Sequence, residues 1–458
     1  MGYIISARKE TETIKKQDTR LSAPRVMIIG FSGLIVIGML LLALPASSVT
    51  GRSIGLIDAL FIATSAVCVT GLSVLDVPGT FTTFGELVLL VLIQIGGLGF
   101  MVFGVLFAVL IGKKIGLRER LLIQQSVNSY STQGVIRLAL NIFIIALIIE
   151  TFAAFLLTIR WMHEYGFARA SYYGAFHAIS AFNNAGFALW PDNLTRYVGD
   201  PTVNLVVSAL FIFGGLGFTV ILDIVKKRRW KDLSLHSKIV IVTNLGLIAA
   251  GTLVILAVEL FNSATFGGLT WPQRVWAGYF QGVVTRTAGF NTIDIGAMLP
   301  PSQLFMIFLM FIGGSSGSTA GGIKTNTFAV LLMSVLAIVK GKADIQAYKR
   351  RLAVDLILRS LAVIIISLGV VMVSTFLLTM TEYRSHADFL TLLFEATSAF
   401  GTVGMTMDFT GQLSIAGKAV IIVTMFIGRL GPLTLAFAMT RGSRKQPFRY
   451  PEEKILIG

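Results

Sequence analysis

The sequence predicts an all-α membrane protein of four parallel repeats. Eight transmembrane helices and four re-entrant half-length helices would group about one pseudo-fourfold axis. Three observations predict it. The 458 residues are 55% hydrophobic and only 13% charged, about half the charge of a soluble domain. The apolar residues fall into long runs, among them 26–44, 87–111, 138–159 and 352–380, each near or above the ~20 residues that cross a bilayer. One pattern of span, short helix, glycine-bearing bend and second span also recurs four times, which is a signal of architecture that needs no alignment.

The chain starts with a basic segment, 1–25, and its first apolar run is too long for the h-region of a signal peptide. We read that run as an uncleaved first helix. The net charge of +15 would suggest nucleic acid in a soluble protein, but its distribution points elsewhere. Basic residues cluster at 8–25, at Lys113, Lys114, Arg118 and Arg120, at 226–231, at 340–351 and at 441–454. These segments alternate with poorly charged ones, the asymmetry that marks cytoplasmic loops. Both termini are therefore expected on the cytoplasmic side of the membrane, with an even number of spans. The basic loops suit an acidic partner or anionic lipid. Cys68 is the lone cysteine, so neither an intramolecular disulfide nor a cysteine zinc site is available.

The repeats divide the chain at 26–112, 113–226, 227–340 and 341–440, leaving a cytoplasmic tail at 441–458. In the first, the half-helix from Phe61 leads to Val67-Cys68-Val69-Thr70-Gly71. In the second, Phe176 leads to Phe182-Asn183-Asn184-Ala185-Gly186. In the third, Tyr279 leads to Thr285-Arg286-Thr287-Ala288-Gly289. In the fourth, Phe394 leads to Phe400-Gly401-Thr402-Val403-Gly404. An aromatic stands ten residues before the bend glycine each time. Ser65, Ser180 and Ser398 share one position, filled by Val283 in the third repeat. A cluster of small residues follows the bend by 24 to 28 residues, beginning at Gly96, Gly214, Gly313 and Gly428. Close helix contact explains such glycines in most membrane spans. It does not explain the four bend glycines, each of which follows a helix too short to span.

Non-helical backbone survives at membrane depth only when it is buried in protein or lines water. Four related segments of this kind have one economical arrangement, convergence on a shared pore. Glycine permits backbone with φ > 0, so carbonyls can turn to the axis and replace the hydration shell of a monovalent cation. The half-helices then aim their negative C-terminal ends at the same cavity.

These four bends, with the glycine-serine run from Gly313 to Gly322, resemble the Trk/Ktr/HKT potassium-transporter superfamily from about residue 26 onward. The match is best to the bacterial Ktr-type membrane subunit, since Trk-type chains carry an extra pair of spans before the first repeat. The resemblance implies that the twenty bend residues form the filter and that glycine in all four bends selects K+. In this superfamily serine in the first bend accompanies sodium transport. It further implies a homodimer, a cytosolic ring of RCK-type nucleotide-binding subunits, and transport down the electrochemical gradient. A sodium-selective or sodium-coupled carrier of the same fold is the alternative. No organic cofactor is expected on the chain.

Three intramembrane features stand out. The run Gly313-Gly314-Ser315-Ser316-Gly317-Ser318-Thr319-Ala320-Gly321-Gly322, followed by Ile323 and Lys324, cannot hold a straight helix, since each glycine is about 1 kcal/mol less favourable than alanine. It is either a kink for close contact or a mobile loop across the pore, which the resemblance implies is a gate. Arg429 lies deep in the last apolar run, where an arginine usually faces the interior or water. It is either a structural arginine bonded to loose carbonyls, or it faces the pore, holding the loop near 315–318 by hydrogen bonds and raising the barrier to cations; the two roles are compatible. Arg286 is expected to point back into the protein toward an acidic partner such as Glu395. Elsewhere, His163, His177, His236 and His386 lack metal spacing, and Glu150, Asp223 and Glu259 stand apart on different helices. With no nucleophile elbow, paired-carboxylate motif or phosphate-binding glycine loop, the sequence reads as a transporter, not an enzyme.

Overall fold

A computed structural model of the chain describes residues 23–112, 115–116, 120–121, 124, 134–342, 344–432 and 434–435. The basic residues expected at 8–20, Lys113, Lys114, Arg118 and the tail at 441–454 lie outside them. The described residues are mostly helical; a two-stranded ribbon, Gln346–Ala347 with Arg350–Arg351, is the one regular sheet among them.

The helices come in sets. The first set is α1 (Ala23–Leu42), α2 (Leu56–Val67), α3 (Thr83–Leu98) and α4 (Phe100–Leu110). Next come α5 (Val135–Phe182), α6 (Pro201–Leu216) and α7 (Phe218–Lys227). Then follow α8 (Leu235–Glu259), α9 (Trp271–Val284), α10 (Pro300–Phe311) and α11 (Thr325–Val339). The last set is α12 (Val354–Thr381), α13 (Phe389–Gly401) and α14 (Ile415–Leu430). Four helices, α1, α5, α8 and α12, are long and apolar enough to cross a membrane alone. The pairs α3–α4 and α6–α7 qualify only together, bent by 97° and 96°.

Local chemistry starts these helices where the sequence places polar residues. Thr82 accepts from the Gly85 amide at the head of α3, and Ser414 from the Gly417 amide at the head of α14. Asp200 accepts from Thr202 and Val203 ahead of α6, with Pro201 in the first turn, where its missing N–H is harmless. Thr270 and Gln273 form a capping box on α9. At 12 residues, α2 spans only ~18 Å at 1.5 Å per residue, well short of a ~30 Å hydrocarbon layer. The second half-length helix is fused to its preceding span within the 48 residues of α5, and only the non-helical Gly166 (φ 74°) separates them.

The small-residue clusters do more than allow close contact. A Cβ on Gly96, Gly214 or Gly428 would collide with the carbonyl of Val67, Phe182 or Phe400, the residues that open the bends. Three residues further on, Gly99 and Gly217 take φ of 87° and 96° and turn the chain through the two sharp bends. The helix neighbours run in chain order and close on themselves: α3 against α5, α6 against α9, α10 against α13, and α14 back against α2. Phe61, Phe176 and Phe394 are fully buried between them. The third set buries Phe280 instead of Tyr279, whose hydroxyl meets that of Ser208 at 3.0 Å.

Candidate cation pathway

The four bends begin where α2, α5, α9 and α13 run out, and their amides are tied to the last helical turn. Thr70 N–H donates to Ser65 O, Ala185 N–H to Ser180 O and Val403 N–H to Ser398 O, each at 2.8 Å. The shared serine also has work of its own. Ser65 Oγ accepts from Gly71 N–H (3.0 Å) and Ser398 Oγ from Gly404 N–H (3.1 Å), whereas Ser180 donates to Phe187 O (2.8 Å). Val283 leaves the third bend without this tie; there Ala288 N–H reaches Val284 O at 3.1 Å.

With their amides held inside, the bends present carbonyls to one another. A Cβ built on Gly71 would lie 2.5 Å from Ala185 O, one on Gly186 2.9 Å from Ala288 O, and one on Gly289 2.6 Å from Val403 O. A Cβ on Gly404 would strike Thr70 O. Each glycine therefore faces the carbonyl of the next bend in chain order, and the fourth closes on the first.

A second regularity was not legible in the residue types. The position two before each glycine is also left-handed: Val69 (φ 51°), Asn184 (58°), Thr287 (70°) and Thr402 (49°), against 93°, 71°, 76° and 88° for the glycines. In an extended strand successive carbonyls alternate sides; alternating the handedness of residues turns them to one side. Asparagine tolerates this region, but β-branched residues there are strained. All twenty bend residues but Gly71 are buried. Each bend glycine thus packs on a carbonyl of the next bend, so four backbone oxygens lie within one closed circle of buried segments.

The run from Gly313 to Gly322 is a loop between α10 and α11, with Ile312 and Ile323 bridged in parallel at its neck. Its backbone rests on the second set: Ser315 N–H donates to Gly215 O (2.9 Å), Thr319 N–H to Gly214 O (3.1 Å), and Phe218 N–H to Gly317 O (2.9 Å). Thr319 Oγ1 lies 2.8 Å from Asn184 Oδ1 and 3.2 Å from Phe182 O. Gly321 faces Thr402, and Gly322 faces Gly401. Lys324 Nζ donates to Ala320 O at 2.7 Å. The tip, Ser316 to Ser318, borders a cavity of about 840 Å³ that Phe100, His236 and Arg429 also line.

Arg286 and Arg429 both hold this loop. Arg429 donates to Thr319 O and Gly96 O, and to Gly97 O at 3.0 Å. The loop carbonyl it takes is Thr319, one residue past the stretch expected from the sequence. Arg286 has no acidic partner among the described residues. Its guanidinium donates to Asn244 Oδ1, to Gly313 O (3.2 Å) and to Thr325 Oγ1 (2.8 Å). Glu395, the partner expected from the sequence, is instead occupied by the hydroxyls of Thr406 (2.9 Å) and Thr410. Asn244 also donates to Ser315 Oγ (3.3 Å); it was missed, although a lone asparagine in the apolar run of α8 was the available signal.

Glu150 is not the isolated residue it resembles in the sequence. Its carboxylate accepts from Gln94 (2.9 Å) and from the bend residue Asn183 (3.1 Å). The four histidines form no metal cluster, and no group of three or more His, Cys, Asp or Glu positioned for a metal occurs among the described residues.

Residues 5–445 match the TrkH family, described as a cation transport protein. The Ktr system potassium uptake protein B of Bacillus subtilis is 48% identical over 439 residues, covering 96% of this chain and 97% of that protein. The potassium/sodium uptake protein NtpJ of Enterococcus hirae is 39% identical, covering 97% of this chain and 99% of that one. Among solved structures, the potassium transporter TrkH from Vibrio parahaemolyticus superposes with a TM-score of 0.71 at 20% identity, over 90% of this chain and 83% of that one. The chain belongs to the TrkH family of cation transport proteins.

Proposed function

We propose that the chain is the membrane subunit of a potassium uptake system, with four span–half-helix–span repeats around one pore. The observation that carries the reading is the closed circle in which each bend glycine abuts the next bend's carbonyl. In this reading the twenty bend residues are the selectivity filter, with backbone carbonyls as the K+ ligands. The loop at 313–322 is the gate, and Lys324 and Arg429 hold it across the pore beneath them. Transport follows the electrochemical gradient, with the membrane potential supplying about 2.3 kcal/mol per charge per 100 mV. The repeats divide at 26–112, 113–226, 227–340 and 341–440, in a bacterial cell membrane with both termini cytoplasmic. The subunit works as a homodimer on a cytosolic ring of RCK-type nucleotide-binding subunits; the name of the Bacillus subtilis relative, one protein of a system, supports a partner component.

A second reading, a sodium-selective or sodium-coupled carrier of the same fold, is favoured by the name of the Enterococcus hirae relative. Rescue of a potassium-uptake-deficient bacterium at micromolar K+, with and without a candidate ring subunit and with Na+ varied, tests both. Growth at micromolar K+ supports the first reading, whether or not Na+ stimulates it; Na+ carried with or in place of K+ under matched gradients supports the second, and no rescue with any ring overturns potassium uptake.

A further inference from the structure

We propose that Asn184 is a specificity-determining residue whose side chain is set by the loop, so that ion preference depends on where the loop lies. The inference rests on the filter-and-gate reading above. Asn184 is fully buried with φ 58°, a conformation that asparagine and glycine adopt more readily than other residues. Both ends of its amide are engaged. Nδ2 donates to Thr287 Oγ1 in the third bend (3.3 Å), and Oδ1 accepts from Thr319 Oγ1 in the loop (2.8 Å).

The Thr319 hydroxyl carries one proton, and its other neighbour, Phe182 O, is farther away at 3.2 Å. The asparagine is therefore its better acceptor. Among the described residues, Thr319 is the one loop side chain that donates to the bends, so one contact joins the loop to two of the four. Arg429 holds the carbonyl of the same residue, Thr319, which anchors the backbone that carries that hydroxyl. When the loop withdraws, a buried amide oxygen loses its donor, and such a group is driven to find another. Asn184 then turns and takes its bond to Thr287 with it. Two bends relax together, and the ring around the ion changes shape.

The test is the ratio of K+ to Na+ uptake by the full-length protein in proteoliposomes under matched gradients. Thr319→Val keeps the shape and removes the proton, Thr319→Ser keeps the proton, and Asn184→Gly removes the amide while tolerating the left-handed backbone. The valine and glycine variants are each expected to shift the ratio by about 2- to 10-fold, the equivalent of one hydrogen bond. The serine variant should match wild type, and the Val–Gly double variant should match either single. A wild-type ratio in Thr319→Val, or a double variant that multiplies the singles, overturns the proposal. If Asn184→Gly is unstable, Thr319→Val against Thr319→Ser decides alone. Deleting 315–320 separates the two ideas: faster flux at an unchanged ratio keeps the gate and overturns the coupling. No rise in flux overturns the gate, while the Thr319 pair still decides whether the contact sets preference.

Discussion

Arg429 and Gly97 are 332 positions apart in sequence, yet the arginine's guanidinium donates to the glycine's carbonyl at 3.0 Å. The same group reaches Thr319 O, so one side chain of α14 clasps both the loop and the end of α3. Taking a guanidinium out of water costs free energy unless it is hydrogen-bonded, and these carbonyls offset that cost. Arg429→Ala is expected to free the loop and raise K+ flux several-fold. Arg429→Lys should resemble alanine, because a point charge cannot span separate carbonyls as the planar fork does. Uptake in both variants is the measurement; a lysine variant that behaves like wild type would assign the residue to charge repulsion instead.

Serine at any bend glycine places a Cβ against a neighbouring carbonyl and on a left-handed backbone. Gly71→Ser, Gly186→Ser, Gly289→Ser and Gly404→Ser are therefore each expected to slow K+ uptake and narrow its preference over Na+. Gly404 should be the most sensitive, since its site is the tightest of the four. Tracer flux with both ions at matched expression checks this; unchanged ratios in all four variants would remove the bends from the ion's path.

Removal of 315–320 takes away the loop's contacts with Gly214, Gly215 and Asn184. Folded protein lacking these residues should carry K+ faster than wild type in the absence of any ring subunit. Equal rates would mean that the loop does not obstruct the path.

Arg286 ties the third bend to the loop's neck through Gly313 O and Thr325. Hydrogen bonds to a charged donor contribute about 1.5–3 kcal/mol each. Arg286→Ala should lower the thermal midpoint of the purified protein by several degrees. Since Glu395 is bonded elsewhere, Glu395→Gln should add its own loss independently of the Arg286 change. Sub-additive losses in the double variant would restore a direct link between the two residues.

Much of the frame was legible in the residues. The aromatic ten before each glycine and the apolar runs on either side marked the half-length helices, because helix length and glycine placement are local properties. Three features were not legible. Val69, Thr287 and Thr402 are β-branched, a type that argues against left-handed backbone, and only the closed circle of bends holds them there. Gly99 and Gly217 read as contact glycines, since a sharp turn and a close approach demand the same residue. The partners of Arg286 were hidden because its three acceptors are two neutral side chains and a backbone carbonyl. None leaves a charge to search for, and all lie on elements that only tertiary folding brings near.

The circle of bends belongs to a single polypeptide, and its quarters are chemically unlike: a cysteine and a threonine in one, paired asparagines in the next, an arginine in the third, an extra glycine in the fourth. An assembly of four identical chains would stamp every substitution on all quadrants at once. Here a substitution enters one quarter of the circle at a time and reaches another only through a contact such as that of Asn184 with Thr287. The loop at 313–322, too, belongs to the third set of helices alone, so a change there is made once and not four times.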